Sequence, residues 1–481
     1  MLKDHAWSRA VGFAGSALIA VGGLGAGALP TGVPFFAGGR HARLGLVGVY
    51  SGLALLLLAW WWYGRLVRRG AANKSGAADR SGAADRSGAA EKTDGTWQTL
   101  ALWVAPLLLA PPMFSRDVYS YLAQGLMIHA GMDVYRHGPA LLGGVIADQV
   151  PAIWQHTPSP YGPVFLIVAK TVAALLSAHL MLGVVAMRLV ALAGLVLLAG
   201  AVRVLARSAG VNPAAATWLA VLNPLVLIHL VGGAHNDALM VGLLAAGLAA
   251  AVRHRPVVAT LLVVAAALVK VPAGLGLIAV AAIWATQLPG RRPWLRAAGG
   301  VGATAAAATV AITAVAGTGY GWVGALGTPI SAQNWSLTGL LGRWLSDVLG
   351  RSVVADSRWF GMLAVVIVAG VVWTYRARLG PVYGLGIVLV AVVIFGPAIR
   401  PWYVVWGLAP LAAVAAQHRV RSVLAGFCAA LVLVVLPDGF AADGERVLLA
   451  VLGALLGIAA FLVVRLILAL PATLRPVWAR R

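Results

Sequence analysis

The chain has 481 residues, of which 61% are hydrophobic and only 10% are charged. Soluble domains carry roughly 25% charged residues, so a chain of this length could not keep its surface polar in water. Its net charge of +22 would indicate nucleic-acid binding in a soluble protein, but basic residues also collect in the cytoplasmic loops of membrane proteins. The single cysteine, Cys428, excludes a disulfide framework and a cysteine metal site. The sequence therefore predicts an all-α, polytopic membrane protein with no nucleic-acid partner.

Apolar runs of span length recur along the whole chain, and short basic clusters such as those at 65–69, 203–207 and 376–378 interrupt them. If every cluster is cytoplasmic, an even number of spans must separate successive clusters. We interpret the first apolar run as an uncleaved span rather than a signal peptide. About fourteen transmembrane helices are then predicted, at residues 10–28, 44–63, 97–112, 180–202, 214–231, 236–252, 257–270, 272–288, 297–316, 358–374, 380–396, 402–416, 422–437 and 446–469.

Three loops are long enough to carry features of their own. The cytoplasmic loop at 64–96 contains a six-residue repeat over 75–90 that has no apolar face to bury and is typical of a flexible linker. Extracytoplasmic loops are expected at 113–179 and 317–357. The apolar stretch 164–176 lies in the first of these. If it were a span, every later basic cluster would lie on the extracytoplasmic side of the membrane. We therefore interpret it as an interfacial or re-entrant helix.

The polar residues concentrate at the outer ends of the predicted helices and in the two outer loops. A transporter would need ionisable residues within its spans and detectable repeat symmetry, and neither feature is visible. Asp117 follows the third span and could take a proton from a sugar hydroxyl as a general base. It could also begin the next helix as a capping residue. The pattern favours a site where a lipid-borne substrate can meet a water-soluble or lipid-anchored one.

Polar turns are also expected at the outer tips of three hairpins. The sequence HND at 235–237 could bind sugar hydroxyls or a metal, or could cap the following helix. Lys270 and Arg400 could hold a phosphate through their charge, or could extend to the membrane interface. Aromatic residues that could stack on a sugar, or belong to the aromatic belt of the interface, are Trp335, Trp402 and Tyr403.

Four sequence blocks carry a family resemblance: RDVYSY at 116–121, PSPYGP at 158–163, LNPL at 222–225 with HND at 235–237, and RPWY at 400–403. Together they resemble the actinobacterial polyprenyl-phosphate-mannose-dependent α-1,6-mannosyltransferases, which are integral membrane glycosyltransferases of the GT-C class. The resemblance extends from about the third helix to the last, and its first two blocks are the most specific. Many relatives in the wider class have two adjacent acids where this chain has Arg116 before Asp117, which leaves the need for a divalent metal open.

The resemblance implies a GT-C-like fold, an extracytoplasmic active site in the plasma membrane and Asp117 as the catalytic base. It implies polyprenyl phosphomannose as donor and a growing α-1,6-mannan chain, of the lipomannan and lipoarabinomannan core, or a mannosylated lipid as acceptor. We expect Lys270, Arg400 and Arg116 to bind the donor phosphate. The residues expected to contact sugar or acceptor are Tyr119, Tyr121, Tyr161, His235, Asn236, Asp237, Trp335, Trp402 and Tyr403. The alternative is a transporter or flippase of a glycolipid or polyprenyl-linked sugar.

Overall fold

The computed structural model describes residues 2–30, 39–81, 95–176, 179–325, 335–439 and 443–471, and every regular element in these ranges is helical. The longer helices are α1 (Leu2–Ala26), α2 (Gly39–Ser81), α3 (Thr96–Leu109), α4 (Asp117–His129), α5 (Pro163–Leu176), α6 (Leu180–Ser208), α7 (Pro213–Ala220), α8 (Asp237–Val252), α9 (Pro256–Ala267), α10 (Gly276–Gln287), α11 (Pro293–Ala316), α12 (Leu337–Leu349), α13 (Val354–Thr374), α14 (Pro381–Phe395), α15 (Val405–Val414), α16 (His418–Leu431) and α17 (Gly444–Ala469). Shorter helical turns lie at Pro139–Leu141, Gly144–Ala147, Ala152–Gln155, Pro224–Val226, Leu227–Gly232, Val271–Leu275, Gly321–Gly324, Arg376–Leu379 and Pro401–Val404.

Six of these helices are long and apolar enough to cross a membrane, namely α1, α2, α6, α11, α13 and α17. The number becomes seven if α7 and the following Pro224–Gly232 form one broken span. Other apolar helices in the described residues have 10–17 residues, which is short for a hydrocarbon core of about 30 Å at about 1.5 Å per residue. The prediction of an all-helical, polytopic membrane protein is confirmed, whereas the number of about fourteen spans stays a prediction.

The structure also shows local form where the sequence left it open. The stretch 164–176 is helical as part of α5, which packs on α4. Helix α2 continues into the repeat segment and ends at Ser81, so the first residues of the expected linker are helical. Residues 82–94 of the linker and residues 326–334 of the second outer loop lie outside the described ranges. The assignment of these loops to the two sides of the membrane stays a prediction.

The chain divides into two compact units, and the first combines Met1–Ser115, Leu222–Gly232 and Gly426–Arg481. Its centre is the packing of α1 on α2, and α2 also packs on α17. Glycines let the first two helices approach closely, because a Cβ added to Gly45 would lie 2.6 Å from the carbonyl oxygen of Gly22. Small residues at a helix interface replace side-chain packing by backbone contact, which is typical of membrane helix pairs.

The second unit comprises Arg116–Val221 and Gly233–Ala425. Helix α8 packs on both α6 and α9, α10 packs on α11, and α14 packs on α15. Helix α7 begins with an Asn-Pro pair: the Asn212 side chain accepts hydrogen bonds from the backbone N–H groups of Ala214 and Ala215, while Pro213 fills the first helical position. This unit contains the candidate functional site.

The close contact of α1 and α2 predicts opposite effects for the same substitution one helical turn apart. Gly45→Ala should lower the free energy of unfolding by about 1–3 kcal/mol, because its methyl group would overlap the backbone of α1. Gly48→Ala should be neutral or stabilising, since the added Cβ would lie 3.6 Å from Gly22 Cα, at ordinary contact distance. Thermal unfolding of the two variants in detergent measures the difference. Equal midpoints would contradict the packing.

Candidate functional site

A cavity of about 240 Å³ lies in the second unit. Its lining comes from α4, from the segment 154–161, from the turn 270–272 and from residues 392–406, with Ala325. Cavities of a few hundred Å³ that combine apolar walls with a few polar groups are the usual form of a binding site. Three charged residues in this lining, Asp117, Lys270 and Arg400, are residues that the sequence singled out.

One wall of the cavity is the inner face of α4. Asp117 is the first residue of this helix, and Ser120 and Gln124 follow it at spacings of three and seven residues, which places all three on one helix face. The positive end of the helix dipole favours a carboxylate in the first turn. The Asp117 side chain is 22% exposed, so it is partly withdrawn from water and still within reach of a ligand.

His235 lies behind Asp117 and is fully buried. Its Nδ1 is 3.7 Å from an Asp117 carboxylate oxygen and 3.3 Å from the Tyr121 hydroxyl, and its ring stacks on Trp402 with centroids 4.0 Å apart. The residue before it, Ala234, has a φ of 55°, which a non-glycine residue adopts only under strain. The backbone therefore stores strain at the turn that brings His235 to the carboxylate.

The charge state of His235 follows from its surroundings. Burial, and then the positive charges of Lys270 and Arg400, hold the pKa of His235 well below its usual value. The imidazole is therefore neutral at physiological pH, and its contact with Asp117 is polar rather than an ion pair. The Asp117 carboxylate therefore meets a neutral ring at this contact.

A buried ion pair supports the next part of the lining. The Lys270 ammonium is 2.9 Å from both carboxylate oxygens of Asp237, and the Trp406 indole N–H donates to the same carboxylate at 2.5 Å. The side chains of Lys270 and Asp237 are 14% and 1% exposed. The ammonium also lies over the Tyr403 ring, 4.4 Å from its centroid, where the ring face attracts a cation. Lys270 borders the cavity, whereas Asp237 lies behind it.

The PSPYGP block docks on the chain just before Lys270. The backbone N–H of Val164 donates to the carbonyl oxygen of Leu268 at 3.1 Å, and a Cβ on Gly162 would overlap the same carbonyl group. Glycine is thus required here for close backbone approach. This contact holds Tyr161, which borders the cavity, beside the turn that carries Lys270.

Two groups of lining segments differ in the charged residues that they contribute to the cavity. Helix α4 and the segment 154–161 supply Asp117, uncharged polar residues and the aromatic rings of Trp154 and Tyr161, with no Lys or Arg in the lining. The turn 270–272 and residues 392–406 supply Lys270 and Arg400 among mostly apolar neighbours. The first set suits a neutral sugar, and the second suits an anion that carries an apolar chain.

The structure sorts the predicted site residues into three groups. Those that border the cavity are Asp117, Tyr161, Lys270, Arg400 and Tyr403. Those that are buried and support lining residues are Tyr121, His235, Asp237 and Trp402. Those that do not border the cavity are Arg116, Tyr119, Asn236 and Trp335. Their roles in binding or catalysis stay predictions.

Arg116 and Trp335 illustrate the third group. The Arg116 guanidinium lies 5.2 Å from the centroid of the Tyr119 ring and donates to the backbone oxygen of Gln149 at 3.3 Å. Trp335 is 53% exposed, and its backbone oxygen accepts a hydrogen bond from Ile399. Arg116 thus contacts the segment that follows α4 in the chain, and Trp335 bonds to the backbone just before Arg400.

Sequence reasoning missed Ser120, Gln124, Trp154 and Trp406. The first two could have been found, because they share the helical face of Asp117 by spacing alone. Trp154 and Trp406 carried no signal beyond being aromatic. No group of three or more His, Cys, Asp or Glu residues that could hold a metal ion occurs within the described ranges.

Comparison with known proteins gives consistent matches over most of the chain. Residues 9–286 match the family described as α-(1→6)-mannopyranosyltransferase, N-terminal domain, and residues 335–466 match the MptB C-terminal domain. An α-(1→6)-mannopyranosyltransferase A of Mycobacterium tuberculosis is 35% identical over 454 residues, which is 89% of this chain and 84% of that protein. An α-(1→6)-mannopyranosyltransferase B of Corynebacterium glutamicum is 33% identical over 96% of this chain and 82% of its own length. No solved structure matches.

The buried ion pair predicts a strongly non-additive pair of substitutions. Lys270→Met or Asp237→Leu alone leaves an uncompensated buried charge, which costs about 3–5 kcal/mol. The double variant should lose much less than the sum of the two, because neither charge remains. Unfolding midpoints in detergent measure the cycle. Arg43→Met is a matched control, since the Arg43–Glu445 pair has exposed side chains and should contribute little. Additive losses would show that the pair is not coupled.

Proposed function

The chain belongs to the α-(1→6)-mannopyranosyltransferase family, and from that premise we propose that it transfers mannose from polyprenyl phosphomannose to a growing α-1,6-mannan chain. The observation that supports this reaction best is the convergence of Asp117, Lys270 and Arg400 on one cavity. An acid and two cations around one space are what a transfer from a phosphate leaving group to a hydroxyl requires.

The donor is proposed to lie along the cationic part of the lining. Its phosphate would meet Lys270 and Arg400, and its polyprenyl chain would meet the apolar residues near them, such as Val392 and Pro397. Charge neutralisation lets the phosphate leave without a proton. Lys270 is already paired with Asp237, so its contribution is a fixed positive group that does not have to be ordered when the donor binds.

The acceptor is proposed to lie along α4, with its 6-hydroxyl at Asp117. The hydroxyl oxygen attacks the anomeric carbon, its proton passes to the Asp117 carboxylate, and the bond from that carbon to the phosphate oxygen breaks. The electron pair of that bond leaves with the polyprenyl phosphate. A single displacement of this kind inverts the anomeric centre, so a β-linked donor gives an α-linked product. The neutral His235 beside Asp117 would orient the carboxylate without protonating it.

The relatives are named as transferases, and this favours transfer over the transporter or flippase alternative. A transporter is expected to carry ionisable residues within its spans. The six long apolar helices of the described structure contain no repeated pattern of buried charged residues. Only two fully or nearly buried charged side chains lie in those helices, Arg188 and Arg203 of α6. We therefore retain the transferase as the single proposed function.

We propose that the cavity opens on the extracytoplasmic side of the plasma membrane and that the mannan acceptor belongs to the lipomannan and lipoarabinomannan core. This side follows from placing the basic clusters in the cytoplasm, where Lys and Arg residues collect in membrane proteins. A polyprenyl-linked donor is held in the membrane, so a site at the membrane surface would let it meet a hydrophilic acceptor.

Asp117→Asn should abolish transfer and leave the folded protein intact, because the amide keeps the shape of the side chain and cannot accept the proton. The assay combines purified protein, labelled polyprenyl phosphomannose and an α-1,6-linked oligomannoside. The matched control is Asp148→Asn, which changes an exposed acid of the same outer segment that does not border the cavity. Normal turnover by Asp117→Asn would remove this residue from the mechanism. A wild-type protein that transfers no mannose would remove the proposed reaction.

The proposed side of the cavity can be tested by labelling single cysteines in intact cells. The native Cys428 is buried, so a membrane-impermeant maleimide should leave it unmodified. A cysteine at exposed Asp148 should react from outside, whereas one at exposed Arg291 should react only after the cells are permeabilised. The reverse pattern would place the cavity on the cytoplasmic side.

A further inference from the structure

The α4 wall of the cavity carries a polar side chain that the transfer step does not use. Gln124 borders the cavity and is 4% exposed, so its amide is largely withdrawn from bulk water. It lies seven residues after Asp117, which is roughly 10 Å along the helix axis. A buried amide costs free energy unless its donors and acceptors are bonded. The partners of each end of the Gln124 amide therefore indicate what the residue does.

A short hydrogen-bond chain fixes the orientation of this amide. The backbone N–H of Tyr161 donates to Ser159 Oγ at 3.3 Å, and Ser159 Oγ donates to Gln124 Oε1 at 2.9 Å. A backbone N–H can only donate, so the hydroxyl accepts that bond and its own hydrogen is available for Oε1. The carbonyl end of Gln124 is thus held by the Pro-rich segment.

The opposite end of the amide has no such bond. Within the described ranges no residue accepts a hydrogen bond from Gln124 Nε2. Ser120 lies between Asp117 and Gln124 on the same helix face, and its buried Oγ also has no hydrogen-bond partner among the described residues. The wall beside Asp117 therefore retains hydrogen-bonding capacity that the protein itself does not use.

The neighbours of Gln124 limit what kind of ligand could use this capacity. In the cavity lining, α4 and the segment 154–161 contribute no Lys or Arg, and they contribute the rings of Trp154 and Tyr161. A phosphate would have to draw its counter-charge from Lys270 and Arg400 on the other lining segments, and an apolar chain would leave the amide unbonded. A neutral, polyhydroxylated sugar needs no counter-charge, and its hydroxyl groups can accept a hydrogen bond from the amide.

We propose that Gln124, oriented by Ser159, donates a hydrogen bond to a hydroxyl of the acceptor sugar and so determines which acceptors are bound. The proposal rests on the proposed function, which places the reacting hydroxyl of the acceptor at Asp117. Gln124 lies too far along α4 to touch that hydroxyl, so it recognises a different part of the acceptor. It is a specificity-determining residue, and Ser159 is a positioning residue that acts through it.

The test measures the acceptor KM of Gln124→Met and of the wild-type protein with a complete α-1,6-mannoside and with a series of analogues that each lack one hydroxyl. Methionine keeps the length of the side chain and removes the donor. With the complete acceptor, the variant should show an acceptor KM about fivefold to tenfold higher, as expected for one lost hydrogen bond from a neutral group. The KM for the polyprenyl phosphomannose donor should not change. One deoxy acceptor should show the same loss with the wild-type protein and no further loss with the variant.

Two more variants separate recognition from a structural effect. Ser159→Ala should give a smaller loss in acceptor binding with the same deoxy acceptor insensitive to it, since the amide keeps its donors but loses its fixed orientation. Gln287→Met is the matched control, because that amide donates to the backbone oxygen of Ala251 away from the cavity lining. It should leave both KM values unchanged.

The possible failures are distinguishable. An unchanged acceptor KM in Gln124→Met, a shift in the donor KM instead, or an equal loss with every deoxy acceptor would overturn the role of Gln124. In each of these cases the wild-type protein still transfers mannose and Asp117→Asn remains inactive, so the proposed function stands. Absence of transfer by the wild-type protein, or full activity of Asp117→Asn, would overturn the proposed function itself.

Discussion

The arrangement of the site depends on the buried ion pair between Lys270 and Asp237. Two charges removed from water are tolerated only when each satisfies the other and further hydrogen bonds or ring faces complete their surroundings. Here the Trp406 indole N–H donates a hydrogen bond to the Asp237 carboxylate, and the Lys270 ammonium lies over the Tyr403 ring. Because these partners come from separate parts of the sequence, the pair joins the start of α8, the turn after α9 and the start of α15. The position of the cationic side of the cavity follows from this bond.

The ion pair also governs the acidic side through His235. This residue precedes Asp237 by two positions, and the positive charges of Lys270 and Arg400 oppose its protonation in addition to burial. A charged imidazole would form an ion pair with Asp117 and hold its carboxylate in a fixed partnership. A neutral one makes a polar contact with that carboxylate instead. The same cations proposed to bind the donor phosphate thus oppose protonation of the imidazole beside Asp117.

The sequence predicted the helical membrane class and the gathering of Asp117, Lys270 and Arg400, because charge placement in loops constrains which helix ends meet. It could not predict the role of Asp237, whose bond to Trp406 joins residues 169 positions apart and depends on tertiary packing. The number of membrane-spanning helices is also difficult to predict from the sequence. A short apolar run such as α9 has the same hydropathy whether it crosses a membrane or lies inside a protein core, so periodicity alone cannot separate the two cases.

The polar groups on the two sides of the cavity differ in how far they are already bonded to other groups of the protein. Lys270 is bound to Asp237 within the protein itself, so its position would cost little to maintain when the proposed donor binds. On α4, the Gln124 amide is held at its carbonyl end by Ser159, and Asp117 keeps a partly exposed carboxylate. A fixed cationic side suits a donor whose phosphate group is always the same. The proposed acceptor would lengthen with each transfer, and a neutral wall that supplies a few hydrogen-bonding groups can bind sugars at a chain end without requiring a fixed total length.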